Sequence, residues 1–205
     1  MNFSLLQSEL GFLREFDEKN LSELKSKLNA YESLFQSFGK VHNISRFNAL
    51  ENEIIDSLKI LDFKDFKSVQ SVIDIGSGAG FPAIFLALIL GAKFSLFEPN
   101  SKKSAFLMLV KSELALDNVR VIKDKIELYE PKFKAKLITS RALMNAKALI
   151  KLCTGFFDKN TLFLLYKGSG VYDELAGIAN YEITEFDKRK YALISAREFY
   201  GMEKL

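Results

Sequence analysis

Residues 72–82 read Val72-Ile73-Asp74-Ile75-Gly76-Ser77-Gly78-Ala79-Gly80-Phe81-Pro82. Val72, Ile73 and Ile75 are β-branched and apolar, as a strand covered on both faces requires. Three glycines at alternate positions follow, then Pro82 and the apolar run 83–90. The pattern predicts a strand, a sharp turn whose backbone can lie against a ligand, and a helix whose first turn tolerates proline. Such a unit is the usual seat of a nucleotide cofactor. The spacing argues against one class of cofactor. A dinucleotide site has G-x-G-x-x-G, with the pyrophosphate on the helix N-terminus, whereas here the glycines follow G-x-G-x-G and Asp74 stands two residues before the first. A carboxylate at the strand end suits a cofactor that presents a cation and disfavours a phosphate.

S-adenosyl-L-methionine carries an ammonium and a sulfonium and has no phosphate. The D-x-G-x-G-x-G form resembles motif I of the class I methyltransferases, which makes Asp74, Gly76 and Gly78 candidate cofactor-binding residues. In an open α/β sheet ligands bind beyond the carboxyl ends of the strands, so the other candidates are strand-end residues. Glu98 lies 22 residues past Gly76, near the spacing of an acid that accepts hydrogen bonds from ribose hydroxyls. Capping the helix that starts near Ser101 is its alternative role. Glu127 follows the third strand, Arg141 the fourth and Lys167 the fifth. Arg141 interrupts an apolar strand end over the expected cleft. Arg and Lys are shaped to hold phosphates or the O6/N7 edge of guanine.

Some chemistry is missing. The loop after the fourth strand, Ser140-Arg141-Ala142-Leu143, lacks the [N/D]-P-P-[F/Y] segment with which amino-methylating enzymes handle an exocyclic amine. Pyrimidine C5 methylation needs a cysteine nucleophile, and the one cysteine, Cys153, sits in an apolar helical run and reads as a buried packing residue. One Cys and one His, His42, cannot build a metal cluster. Guanine N7 fits these absences. It is an in-plane lone pair with no proton to remove, so its methylation needs in-line positioning and exclusion of water.

The elements that would position these residues follow from periodicity. Residues 1–65 read as helices: a short one on Phe3, Leu6, Leu10 and Leu13; a long one over 20–38, ended by Gly39; a polar connection over 41–46; and a third on Leu50, Ile54, Leu58 and Leu61. Beyond about residue 66 strands and helices alternate. Strands are expected at 70–75, 93–97, 119–122, 137–140 and 161–166, and helices at 82–90, 101–116, 143–152 and 171–178. Segments 181–186 and 192–199 form a closing antiparallel pair. The expected fold is α/β: a Rossmann-like, mostly parallel sheet with helices on both faces and a C-terminal antiparallel strand. The expected domains are an N-terminal helical extension, 1–65, and a methyltransferase domain, 66–205.

With 205 residues, 48% of them hydrophobic, the chain can bury a full core. Its net charge of +3 is unevenly shared: residues 1–65 hold 8 Lys/Arg against 11 Asp/Glu, and residues 66–205 hold 21 against 15. A mildly basic C-terminal part is compatible with nucleic acid or with an ordinary solvated surface. A lone cysteine forms no internal disulfide and suits a reducing compartment. With no long apolar run and no basic segment before the first apolar residues, the expectation is a cytoplasmic protein without a membrane span or signal peptide.

Taken together the motifs resemble the RsmG (GidB) family of bacterial small-subunit rRNA guanine-N7 methyltransferases, over about 28–175. His42-Asn43-Ile44-Ser45 is similar to the family's Y-N-L-T, Ile54-Ile55-Asp56-Ser57 to its H-I-x-D-S, and 74–82 to its D-x-G-[ST]-G-x-G-[FL]-P-G. Lys102-Lys103 with Phe106-Leu107, Ser140-Arg141-Ala142 and Lys167-Gly168 also match. The resemblance implies methyl transfer from S-adenosyl-L-methionine to N7 of a guanine in the decoding-region loop of 16S rRNA, within the 30S subunit or its precursor, by a protein expected to be monomeric. It carries cofactor contacts onto Gly76, Phe81, Ile126, Glu127 and Arg141, and places Asn43, Arg141 and Lys167 on the rRNA side or at the reaction centre. The sequence departs from the family at Asn52-Glu53, which replaces Arg-His, at His42 in place of Tyr, and at Ala83 in place of Gly. The first of these puts in doubt an RNA contact from that position. Alternatives are a methyltransferase for another RNA site or a small molecule, a nicotinamide-dependent oxidoreductase, and a non-enzymatic 30S-binding factor.

Overall fold

The computed structural model describes residues 1–42 and 49–201. Three helices come first: α1 (Phe3–Glu9), α2 (Glu18–His42) and α3 (Leu50–Leu58). Then strands β1 (Ser71–Ile75), β2 (Lys93–Phe97), β3 (Val119–Ile122), β4 (Leu137–Arg141) and β5 (Leu162–Lys167) alternate with helices α4 (Ala83–Ile89), α5 (Ser101–Glu113), α6 (Ala146–Leu152) and the short α7 (Val171–Glu174). A hairpin of β6 (Tyr181–Phe186) and β7 (Arg189–Ser195) closes the chain.

The seven strands form one sheet in the order β3-β2-β1-β4-β5-β7-β6. The first five are parallel, and β7 runs antiparallel between β5 and β6. This is the expected α/β architecture. Because β1 pairs with both β2 and β4, the strand order reverses beside it, and a crevice opens at the carboxyl ends of β1 and β4.

Alternation along β1 divides the core. Val72 packs into a cluster on one face of the sheet, while Ile73 and Ile75 pack into a cluster on the other. The first cluster contains Leu6, Leu28, Tyr31, Ile54 and Leu58 from the N-terminal helices together with Phe85 and Phe106 from α4 and α5. The N-terminal helices therefore share a core with the sheet. Two buried tyrosines pin the end of α3: Tyr166 of β5 donates to the Ser57 carbonyl at 2.7 Å, and Tyr191 of β7 donates to that of Asp56 at 2.9 Å.

Several boundaries differ from the periodicity reading. Helix α2 runs through Gly39 to His42. A mid-helix glycine costs only about 1 kcal/mol, and Tyr31, Phe35 and Phe38 all reach the Phe106 ring, so packing carries the helix past it. Residues 41–42 of the expected polar connection are thus helical, and 43–46 lie outside the described residues. Helix α5 stops at Glu113, and Ala115 adopts a φ of 50° in the turn. Helix α6 starts three residues late because the Asn145 side chain accepts from the Lys147 amide at 2.9 Å and caps it. Helix α7 ends at Glu174, four residues early. Strand β7 starts at Arg189 and ends at Ser195, whose side chain caps a single 3₁₀ turn.

Candidate active site

The β1–α4 turn is held by the strand beside it. The Gly76 and Ser77 amides both donate to the Phe97 carbonyl, at 2.9 and 3.2 Å, and the Gly80 amide donates to Ser77 O at 2.6 Å. Gly78 and Gly80 take φ of 57° and 99°, in the region L side chains avoid. A Cβ on Gly80 would stand 2.5 Å from Ile84 Cγ1. Both ends of the Ala79–Gly80 peptide are held, since the Tyr31 hydroxyl of α2 donates to Ala79 O at 2.6 Å. The Tyr31 ring, fully buried, lies against Phe81 and Phe85 at centroid distances of 5.9 and 4.8 Å.

Glu98 stands at the end of β2 and is buried. Oε2 accepts from the Gly78 amide at 2.8 Å, and Oε1 accepts from the Asn100 amide at 2.9 Å. The helix cap falls instead to Asn100, whose side chain accepts from the Lys102 and Lys103 amides. Glu98 thus braces the glycine turn.

Two adjoining cavities share Gly76, Pro99 and Leu143. The larger, about 360 Å³, is walled by Gly76, Ser77, Gly78, Phe81, Glu98, Lys103 and Arg141. The smaller, about 170 Å³, is walled by Phe97, Ile126, Glu127 and Leu143 among others. Of the expected site residues the structure gathers Gly76, Gly78, Phe81, Glu98, Ile126, Glu127 and Arg141 around this one cleft.

Three others are placed differently. Asp74 is 1% exposed and lies off both cavity walls. Its Oδ1 accepts from the Thr139 hydroxyl at 2.6 Å, while Oδ2 has no partner, the single such buried side-chain N or O among the described residues. Burial pushes its pKa up to about 6, against the opposing pull of the Ser77 and Thr139 hydroxyls and the Arg141 guanidinium. Lys167 was expected to face the acceptor. It is buried instead, donating to Met144 O at 2.5 Å and to Glu174 Oε2 at 2.7 Å. A buried ammonium demands such partners, and these tie down the loop after β4. Asn43 lies outside the described residues.

Arg141 projects from the end of β4 beside the turn, its guanidinium 5.0 Å from the Phe81 ring centroid. Two carboxylates of α3 reach it: Glu53 Oε2 at 2.6 Å from Nη2 and Asp56 Oδ2 at 2.9 Å from Nη1. Asp56 Oδ1 in turn meets Arg189 Nε at 2.5 Å. The Tyr31 and Glu53 contacts span 48 and 88 residues of chain, and no local pattern signals them. Only the motif likeness around Asp56 pointed to α3. Cys153 is fully buried, and burial pushes its thiol far up, away from the reactive thiolate. Among the described residues no group of His, Cys, Asp and Glu could hold a metal.

A family model described as rRNA small subunit methyltransferase G matches residues 24–198. The "Ribosomal RNA small subunit methyltransferase G" of Campylobacter jejuni subsp. doylei is 46% identical over 190 residues, covering 93% of this chain and 100% of that one. Its counterpart in Helicobacter bizzozeronii is 43% identical over 181 residues, covering 86% and 99%. Among solved structures, a SAM-dependent methyltransferase from Aquifex aeolicus superposes with a TM-score of 0.57 at 18% identity, covering 70% of this chain and 90% of that one, a likeness of fold alone. The glycine turn and the acid that braces it, on a sheet of this order, together with sequence identity across nearly the whole of these relatives, have one reading: the chain belongs to the rRNA small subunit methyltransferase G family.

Proposed function

We propose that the protein transfers a methyl group from S-adenosyl-L-methionine to N7 of a guanine in the decoding-region loop of 16S rRNA. The observation that carries this is the convergence of the β1–α4 turn, the β2-end carboxylate and the β4-end guanidinium on one cleft, in a chain of this family. When bound, S-adenosyl-L-methionine supplies an electrophilic methyl on a sulfonium centre.

The residues present fit that group. Each Glu98 oxygen accepts one backbone N–H and keeps a further lone pair for ribose hydroxyls. Phe97, Ile126 and Leu143 give the smaller cavity an apolar wall for a base. Asp74, expected on the cofactor side, is buried at the end of β1 and lines neither cavity, so its part is to support the strand end from which the turn starts. Gly76, Gly78, Phe81, Glu127 and Arg141 complete the cofactor side.

The protein's work on the acceptor is positioning. Guanine N7 would accept the methyl on its own in-plane lone pair with no proton to remove, so the residues lining the cleft have only to hold and orient the two groups and exclude water. No base is needed, and among the described residues no histidine or cysteine lines the cleft. Arg141, held by Glu53 and Asp56 and set against Phe81, brings a guanidinium to the cleft wall on the acceptor side, and Asn43 is a second acceptor-side candidate. Lys167 contributes through the loop it ties, which carries Leu143 into the cleft wall.

We assign the rRNA within the 30S subunit or its precursor as substrate, with the protein acting as a cytoplasmic monomer. No helix among the described residues is long and apolar enough to cross a membrane. The division into a helical extension, 1–65, that meets the ribosome and a methyltransferase domain, 66–205, belongs to the same proposal. The test is to incubate the protein and labelled S-adenosyl-L-methionine with 30S, 70S or free 16S rRNA from a strain lacking the enzyme, followed by borohydride–aniline cleavage at N7-methylguanine. Label uptake with one cleavage in the decoding-region loop is expected. Uptake without cleavage would move the acceptor to another atom, and no uptake on any substrate would overturn the proposal.

A further inference from the structure

Leu143 stands where the two cavities of the cleft meet, since it walls both of them together with Gly76 and Pro99. Its isobutyl group lies on Gly76: a Cβ at that glycine would be 3.0 Å from Leu143 Cδ1 and 3.2 Å from Cδ2. A residue without a side chain lets a ligand lie against its backbone, yet on this side of Gly76 the space is already filled by Leu143. The other side of Leu143 is open. The residue is 43% exposed, so its side chain has room to swing toward solvent. The backbone around it is pinned. Before it, Ser140 Oγ donates to Ile75 O at 3.1 Å, and Arg141 is paired with Glu53 and Asp56. After it, Lys167 Nζ donates to Met144 O at 2.5 Å, and Glu174 Oε2 accepts from the Ala146 amide at 3.0 Å. Ala142, with a φ of 53°, makes the turn between these anchors. Movement of Leu143 is therefore a rotamer change on a fixed loop.

We propose that Leu143 is a side-chain gate for the cofactor. It rests on Gly76 when the cleft holds no ligand, swings off to let the ligand reach the turn, and packs back over it. The inference rests on the proposed use of S-adenosyl-L-methionine. A ligand that uses both the apolar wall of the smaller cavity and Glu98 in the larger one has to pass the junction that Leu143 narrows. Once the ligand is in place, the apolar side chain that was exposed is covered and shields it from water. Covering the exposed part of one leucine is worth about tenfold in affinity. The gate thus acts on the lifetime of the bound state, because a leucine rotamer change is far faster than binding.

The experiment follows the leucine methyl groups of the full chain by NMR during titration with S-adenosylhomocysteine, the demethylated product. Calorimetry and stopped-flow binding of the same ligand to the Leu143→Ala and Leu143→Met variants accompany it. The free protein should show contacts between the Leu143 methyls and the Gly76 α-protons, and saturation should abolish them. Leu143→Ala should bind about tenfold more weakly, through faster dissociation, and Leu143→Met should recover to within about threefold of wild type. Methyl–Gly76 contacts that persist at saturation would make Leu143 a fixed wall and overturn the gate. An affinity within about twofold of wild type in a folded Leu143→Ala protein would do the same. If the wild-type protein binds neither S-adenosylhomocysteine nor S-adenosyl-L-methionine, it is the proposed function that fails.

Discussion

The two sides of the cleft are held in different ways. The glycine turn is fixed largely by backbone: its amides bond to the Phe97 carbonyl, to Ser77 O and to Glu98, within a span of about twenty residues. The Arg141 side is fixed by side chains that arrive from α3, more than eighty residues earlier in the chain. Backbone contacts at short range leave a residue pattern that survives in sequence, because only glycine fits. Ion pairs at long range leave none, because any carboxylate on any packed helix could serve. The cofactor turn therefore tolerates few substitutions, whereas the rim accepts exchanges such as Glu53 in place of histidine.

Substitutions sharpen this contrast in order of size. Gly80→Ala should be the most damaging: a φ of 99° and a Cβ 2.5 Å from Ile84 combine backbone strain with overpacking, about 4 kcal/mol in all. Chemical denaturation would read the loss, and cofactor binding should vanish. Retained affinity in a folded Gly80→Ala protein would break the claim that the turn is backbone-determined.

Next is Asp74. A carboxyl whose folded pKa is about 6 against an ordinary 3.8 keeps its proton on folding between those pH values while the unfolded chain has released it. Stability should therefore fall as pH rises from about 4 to 6, by about 3 kcal/mol from this group. Thermal melts of Asp74→Asn should lack this component. A wild-type curve no steeper than the variant's in that window would refute the assignment.

Tyr31→Phe removes the donor to Ala79 O and leaves the ring stack. An unsatisfied buried carbonyl costs about 2 kcal/mol, and the Gly80 amide should exchange faster with solvent, readable by hydrogen exchange. Unchanged exchange at Gly80 would mean that the turn does not depend on α2. Gly78→Ala should be mildest, about 1 kcal/mol, since its φ is 57° and the nearest neighbour of a Cβ is 3.8 Å away. A larger loss than at Gly80 would invert the expected order within the turn.

Much of the fold was legible because amphipathic period and strand alternation are local. β1, β2 and β3 stand where the pattern put them, and the closing hairpin was expected. The misplaced ends have physical causes outside the pattern. Aromatic packing on Phe106 carries α2 past Gly39, and the Asn145 cap delays α6. Among the candidate site residues, Glu98 was read as a ribose acceptor or a helix cap, and its bond to the Gly78 amide was in neither reading. Lys167 was read as facing the acceptor because it follows a strand end, but the pleat and its burial direct the ammonium to Met144 and Glu174.

By itself the sequence determined the kind of cofactor turn, the alternation of elements and the chemistry left out, since these depend on which residue types a backbone geometry permits. Tertiary structure alone decided that α2 clamps the turn through Tyr31, that α3 flanks Arg141 with two carboxylates, and that Asp74 is buried with an oxygen lacking a partner. Those outcomes depend on distances between groups far apart in the chain. Burial and Coulomb energy act on such distances, and residue order does not encode them locally.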